Sequence, residues 1–224
     1  MTALAIQPIF HPDWLVVEAH SRTARSADNI AVRVLASSGD SFAGTVEAAS
    51  LLAPSFELGD EVYGAGTTLK HMAHKPQSLT FLQAAQAVIP AITARQMVYD
   101  HAVIRPEHRV LILGANTPTG AYARQLAEAR GAEVFTTPGP RVDVVIDTLG
   151  RAAQARIIPL IKPCGSLISS IALLDPTISE ERYIRSALAT PRVTRALLHD
   201  IRNLFDGGVL TFQPSPAAVA AANV

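Results

Sequence analysis

From Arg109 to Gly131 the chain reads RVLILGANTPTGAYARQLAEARG, and no other stretch constrains the fold as much. The run RVLIL lacks the polar alternation of a strand with one wet face, so it needs cover on both sides, as the inner strands of a parallel sheet have. The turn GANTPTG follows, and AYARQLAEARG then places its apolar residues at helical spacing. A second strand, Glu133 to Thr137, completes a βαβ unit of about thirty residues, the size a parallel crossover requires.

Upstream the texture is different. Short β-type runs, IAVRVLA around Ala31 to Ala36 and FAGTVEAAS around Phe42 to Ser50, are separated by Gly, Ser, Asp and Pro and read as a small all-β unit. After Lys75-Pro76, apolar residues from Phe81 to Tyr99 fall at helical spacing, with Ser78 or Thr80 as N-cap and Pro90 expected to split the segment into two helices. Downstream, VDVVID from Val142 to Asp147 is a third strand. RAAQARIIPLIK is expected as a helix stopped by Pro163 and Gly165, and SLISSI as a fourth strand.

One spacing is physically awkward. Only Pro138, Gly139, Pro140 and Arg141 separate the second strand from the third, whereas parallel neighbours need a crossover of a dozen or more residues. Four residues reach roughly 14 Å, and returning along a five-residue strand takes about 16 Å before any sideways step. The strands must be shortened, non-parallel or differently ordered, or the sequence lacks segments here.

The turn Gly114-Ala115-Asn116-Thr117-Pro118-Thr119-Gly120 stands where a dinucleotide fingerprint would, after a buried strand and opening a helix. Pyrophosphate binding there requires small residues for close backbone approach and free N–H groups at the helix N-terminus. Gly114, Ala115 and Gly120 meet the first need. Pro118 offers no N–H and Thr117 adds bulk. The alternative is an ordinary strand-to-helix turn capped by Asn116 or Thr117.

Composition narrows the function classes. The 19 basic and 19 acidic residues cancel, so there is no electrostatic footprint for nucleic acid or anionic lipid. Cys164 is the one cysteine, which excludes an internal disulfide, and no signal pattern or bilayer-spanning apolar run is present; the expected setting is cytoplasmic, without membrane. His71 and His74 lie three apart but lack a third ligand nearby, so no metal site is expected. Ser41, His101 and Asp147 make no evident catalytic arrangement, and Asp147, at a strand end, is better read as a holder of backbone amides.

A set of ordered motifs carries a resemblance. Phe42-Ala43-Gly44-Thr45-Val46-Glu47 and Gly59-Asp60-Glu61-Val62-Tyr63-Gly64 are followed by Lys75-Pro76 with Leu79-Thr80-Phe81 and Ala84-Ala85, then by Thr93-Ala94 and Val110 to Ala115. Gly131 to Thr137, Val142 to Gly150 and Leu160 to Gly165 continue in order. The series resembles the zinc-independent quinone oxidoreductase and enoyl reductase branch of the medium-chain dehydrogenase/reductase superfamily, in shortened form. The resemblance implies an α/β fold: a shortened, Rossmann-like parallel sheet plus a small GroES-like β unit. The expected boundaries are 1–77 for the β unit, 78–213 for the dinucleotide-binding domain and 214–224 for a C-terminal tail.

The same resemblance implies NADPH-dependent reduction of an activated C=C bond in a quinone, enone or enoyl thioester, on a biosynthetic small-molecule substrate. In such a reductase the cofactor carries the hydride and the protein orients it, so few titrating side chains are required. By resemblance Thr93 lies near the nicotinamide, Gly114, Ala115, Asn116, Thr117, Thr119 and Gly120 at the pyrophosphate, Thr136 and Thr137 at the adenosine end, and Thr148, Ser169 and Ser170 along the strand ends. Capping and turn duty is the alternative for each hydroxyl. The departures imply that NADPH binding is weakened or lost: the turn reads Thr117-Pro118-Thr119-Gly120 in place of the family's glycine pair, Arg141 is the one cation offered for a 2′-phosphate, and Leu35 to Phe42 lacks the relatives' long loop. Two rivals remain open at this level. One is a family member with non-redox activity, a cyclase, isomerase or lyase, or a binding scaffold; the other is a truncated chain that folds as a homodimer through an exposed sheet edge.

Overall fold

The computed structural model describes residues 14–17, 30–48, 55–173 and 182–214. The expectations for the first thirteen residues, for Ala49-Ser50 and for 215–224 of the C-terminal tail lie outside the described residues. The chain divides into two compact units, Met1–Val88 with Val193–Arg202, and Ile89–Arg192 with Asn203–Val224.

The first unit carries an antiparallel sheet of β1 (Trp14–Val17), β2 (Ile30–Ser38), β3 (Ser41–Ala48), β4 (Glu61–Ala65) and β5 (Met72–His74), in sequential order. β2 and β3 form a hairpin closed by the two-residue turn Gly39-Asp40, which is why no long loop fits between Leu35 and Phe42. Ile30, Val32, Phe42, Val46, Phe56, Val62, Leu69 and Met72 make the core of this unit. Lys75 is 6% exposed. Its ammonium is satisfied by the Glu61 carboxylate at 3.0 Å and by the Pro76 and Leu79 carbonyls at 2.9 and 2.6 Å, so the Lys75-Pro76 junction is pinned.

Helix α1 (Phe81–Arg95) opens on a capping box. The Gln83 N–H donates to Thr80 Oγ1 at 3.3 Å and the Thr80 N–H to Gln83 Oε1 at 3.0 Å, which selects Thr80 over Ser78. Pro90 does not split the helix; α1 runs through it and continues as a π-helical turn, Gln96–His101. One missing N–H costs one bond, to the Gln86 carbonyl. The full burial of Ala84, Ala87, Val88, Ala91 and Ile92 outweighs it.

The second unit carries a wholly parallel sheet of β6 (Arg109–Leu113), β7 (Glu133–Phe135), β8 (Val142–Asp147), β9 (Ile161–Ser169) and β10 (Arg185–Leu188), in the order β10-β9-β8-β6-β7. Among the described residues no helix is long and apolar enough to cross a membrane. Helix α2 (Pro118–Ala129) links β6 to β7, and α3 (Arg151–Ile157) follows β8. Leu111, Leu113, Val142, Val145, Ile157, Ile158, Ile161, Leu167 and Ile184 form the core. Tyr122 of α2 packs edge-on against Phe205 of α4 (Arg195–Asp206), and burial pushes its hydroxyl up to about 12, against a small opposing effect of the Gln213 N–H.

The awkward spacing resolves by shortening and reordering together. β7 ends at Phe135, not Thr137, and β7 and β8 flank β6 on opposite sides. Phe135 is level with Leu111, while Val144 is level with Val110, so the chain must step back about 10 Å and sideways two strand spacings, roughly 14 Å in all. Residues 136–141 reach about 23 Å. The usual doubly-wound order is 3-2-1-4-5-6; here, among the described residues, no strand lies beyond β7, and β7 itself is the edge.

The expected helix RAAQARIIPLIK is also shorter than its pattern. α3 stops at Ile157, Ile158–Leu160 tightens into a 3₁₀ turn at Pro159, and β9 starts at Ile161. Strand β10 and helix α4 went unread in the sequence. RSAL is too short to show a period, and α4 follows a Pro-containing loop rather than a strand.

Candidate functional site

In the parallel sheet the chain leaves β6 toward β7 on one side and returns to β8 on the other, so the strand order reverses between β6 and β8. Ligands of open α/β sheets bind at such a point, beyond the carboxyl ends of the strands. Leu113 pairs with Asp147 and Asp147 with Ser169, so three adjoining strands end level. Gly114, Thr148 and Ser170 follow them.

The turn after β6 is tight. Gly114 holds φ at 80°, and a Cβ there would stand 2.3 Å from Thr148 Oγ1. A Cβ on Gly120 would stand 2.1 Å from the Gly114 carbonyl oxygen, so α2 comes down onto the strand end as only glycine permits. Thr117 is the N-cap: its Oγ1 accepts the Gly120 N–H at 3.0 Å and donates toward the Gly114 carbonyl at 2.9 Å. Asn116, the other capping candidate, is exposed. Thr148 Oγ1 lies 2.9 Å from Thr117 Oγ1 and donates to the Leu113 carbonyl at 2.9 Å.

A pyrophosphate would meet three residues at the start of α2. Pro118 has no N–H, the Gly120 N–H is bonded to Thr117, and among the described residues no acceptor takes the Thr119 N–H, which is left to a ligand. The turn therefore fits a pyrophosphate in backbone shape and in the positive end of the helix dipole, with a donor set cut to one amide and the nearby hydroxyls.

Asp147 is fully buried beneath the crevice. Its carboxylate accepts from the Leu149 N–H at 3.0 Å, the Gly150 N–H at 3.1 Å, Gln154 Nε2 at 2.7 Å and Ser169 Oγ at 2.8 Å. The loop after β8 is thus fixed in place. Gln154 went unread in the sequence, as did Leu149, half-exposed beside Gly114; the signal for both was an Asp at a strand end with Gly150 three residues on.

The other sequence candidates divide. Thr93 is buried with its hydroxyl bonded to the Ile89 carbonyl at 2.7 Å, and Ser169 is buried and turned to Asp147. Thr136 and Thr137 are exposed and follow the carboxyl end of β7, the same end of the sheet as Gly114. Ser170 donates its N–H to the Asp147 carbonyl. Arg141 precedes β8, which places it at the opposite end from the turn; the role of 2′-phosphate cation does not match that position. His101 closes the π-helical turn and gives its carbonyl to Arg185, while Ser41 opens β3 in the other unit. His71 ends a 3₁₀ turn and His74 sits in β5, bonded to Asp60 at 3.0 Å, so they share no helix face. Among the described residues no three His, Cys, Asp or Glu side chains stand together as metal ligands.

Comparison with known proteins agrees with this architecture. No family model matches the chain. It is 31% identical over 112 residues to human quinone oxidoreductase, a match covering 45% of this chain and 34% of the relative, so the chain spans about a third of that protein's length. The quinone oxidoreductase of Coxiella burnetii superposes with a TM-score of 0.70 at 21% identity, over 82% of this chain and 73% of that one. The CurF ER cyclopropanase of the curacin A pathway superposes with a TM-score of 0.67 at 23% identity, over 85% and 72%. A Rossmann-like parallel sheet joined in one chain to a GroES-like antiparallel unit defines a medium-chain dehydrogenase/reductase fold. The sequence likeness over part of the chain is to a quinone oxidoreductase, and the likeness to the solved structures, below 25% identity, is one of fold.

Proposed function

We propose that this chain is a nicotinamide-dependent reductase of an activated C=C bond, in a quinone, enone or enoyl thioester of a biosynthetic pathway. The observation that carries the reading is the tight turn at the order reversal of the sheet, where the glycine positions 114 and 120 keep the close backbone approach and the Thr119 N–H faces the crevice end of α2. A nicotinamide cofactor bound in the crevice would supply hydride. The chain's own work is to bind and orient: the Thr119 amide and hydroxyl with the helix N-terminus hold negative charge, and the Asp147 knot keeps the neighbouring loop rigid. Thr136 and Thr137 reach the end of β7 where an adenosine ribose would lie, with no cation beside them in sequence. Discrimination between NADPH and NADH is accordingly weak, with NADPH the family's cofactor.

Titration of NADPH and NADH into the purified protein, followed by nicotinamide fluorescence or heat, tests the reading. Saturation together with enone-dependent NADPH oxidation supports it; absence of saturation by either nicotinamide at millimolar concentration removes it. One observation favours a second reading, non-redox use of the same crevice: Thr117 takes up the Gly120 N–H, Thr148 stands against Thr117, and Pro118 offers no N–H. The CurF cyclopropanase is a protein of this fold named for another chemistry. Conversion of an enone without nicotinamide consumption would select that reading.

A further inference from the structure

The amino end of the parallel sheet, opposite the turn, holds a second concavity. β9 does not run straight there. Its pairing with β8 steps from Val142↔Ile161 to Val144↔Ser166, so residues 162–165 loop out of the ladder, and a cleft of about 560 Å³ opens beside the loop.

Among the described residues the charges lining this cleft do not balance. Asp143 is its one acid, and Lys162 Nζ matches it at 2.9 and 3.0 Å. Arg105 and Arg185 line the same space. The bonds of Arg185 go to neutral groups, the His101 carbonyl at 3.1 Å and Ser166 Oγ at 3.2 Å, and among the described residues neither guanidinium has a carboxylate partner. An adjoining recess that shares Pro163 adds Arg141 and Arg182. Among the described residues, four arginines therefore line the two adjoining recesses.

Backbone strain is concentrated there too. Among the described residues Val103, Cys164 and Tyr183 are the non-glycine residues with positive φ, at 49°, 62° and 55°. The first two line the cleft, and the third accepts the Cys164 N–H on its carbonyl at 3.0 Å. A β-branched residue in that region is a true outlier, and such strain gathers where structure serves binding.

We propose that this cleft binds a small organic anion, a phosphate monoester or a carboxylate, whose head is held by Arg105 and Arg185. Guanidinium forks suit both heads. The volume is that of a small-molecule site and far exceeds an inorganic ion, and Ala102, Val103 and Pro163 offer apolar surface to the ligand's body. The site is separate from the crevice of the proposed reductase and stands or falls without it.

Cys164 supplies the assay, because it is the chain's one cysteine and lines the cleft. Its alkylation by iodoacetamide is followed by mass spectrometry at constant ionic strength, with phenyl phosphate, benzoate or neutral phenol added. Saturable slowing by phenyl phosphate or by benzoate, and none by phenol, is the expected result, and the two anions separate a phosphate site from a carboxylate site. Arg105→Gln and Arg185→Gln should each abolish protection with an unchanged melting temperature. Should Arg185→Gln unfold the protein, Arg105→Gln alone, at an exposed position, carries the test. Protection by phenol equal to that by the anions, absence of saturable protection at millimolar concentration, or protection that survives Arg105→Gln would overturn the proposal.

Discussion

Thr148 Oγ1 lies 2.9 Å from Thr117 Oγ1 and occupies the space that a side chain on Gly114 would need, so the loop after β8 locks the turn after β6. Gly114→Ala should therefore be costly twice over. It places a Cβ at φ 80° and 2.3 Å from that hydroxyl, a loss of roughly 2 to 4 kcal/mol from strain and overpacking. In a Thr148→Ala background the clash with the hydroxyl is gone, and the cost should fall by about 1 kcal/mol or more. Additive urea denaturation energies across the four proteins would show that the two residues do not meet.

Cofactor affinity should respond to the donor set of α2. Thr117→Gly releases the Gly120 N–H and Pro118→Gly supplies a new one. A hydrogen bond to a charged acceptor is worth about 1.5 to 3 kcal/mol, so the double variant should bind NADPH about tenfold to a hundredfold more tightly. Two added glycines also enlarge the unfolded chain's entropy, and melting temperatures must accompany the fluorescence titration. An unchanged affinity in a folded double variant would place no dinucleotide at this turn.

Asp147→Asn should destabilise more than its conservative appearance suggests. Leu149, Gly150, Gln154 and Ser169 all direct donors at this buried carboxylate, and an amide NH₂ would face donors with a donor. The expected loss is roughly 2 to 4 kcal/mol, read as a lower urea midpoint with unchanged slope. A midpoint within error of wild type would mean that the network does not hold the loop.

Acid sensitivity should include a contribution from Asp143. Burial raises its carboxyl, but the Lys162 ammonium and the Arg109 N–H outweigh burial and hold it below the ordinary value of 3.8. A depressed folded value stabilises the protein above 3.8 and is lost as pH falls through the folded value. The pair is partly exposed, so Lys162→Met should cost about 1 kcal/mol or less near neutrality, a gap that closes below the ordinary carboxylate range. Denaturation curves at several pH values check this; a gap that widens on acidification would contradict it.

Much of the parallel sheet was legible because its strands bury both faces. The apolar run Val110 to Leu113 and the valine- and isoleucine-rich VDVVID announce β6 and β8, and the turn between β6 and α2 carries its capping candidates and its proline in plain view. The site was legible only in part. A cap at Asn116 or Thr117 and Asp147 as amide holder follow from residue type and position; the choice of Thr117, and its meeting with Thr148 thirty-one residues on, leave no periodic trace. The persistence of α1 through Pro90 likewise depends on packing, which one local bond deficit does not decide.

Local chemistry by itself determined that a buried strand, a glycine turn and a helix follow one another, that a small β unit precedes them, and that the short link after β7 forbids an ordinary crossover between neighbours. Only tertiary structure decided the answer to that last constraint. Placing β7 and β8 on opposite sides of β6 lets residues 136–141 span the gap, fixes the order reversal between β6 and β8, and so chooses where the crevice lies. The physical reason is that strand order is a property of pairings between distant segments, whose energies depend on which faces are left to cover and not on the residues within any one strand.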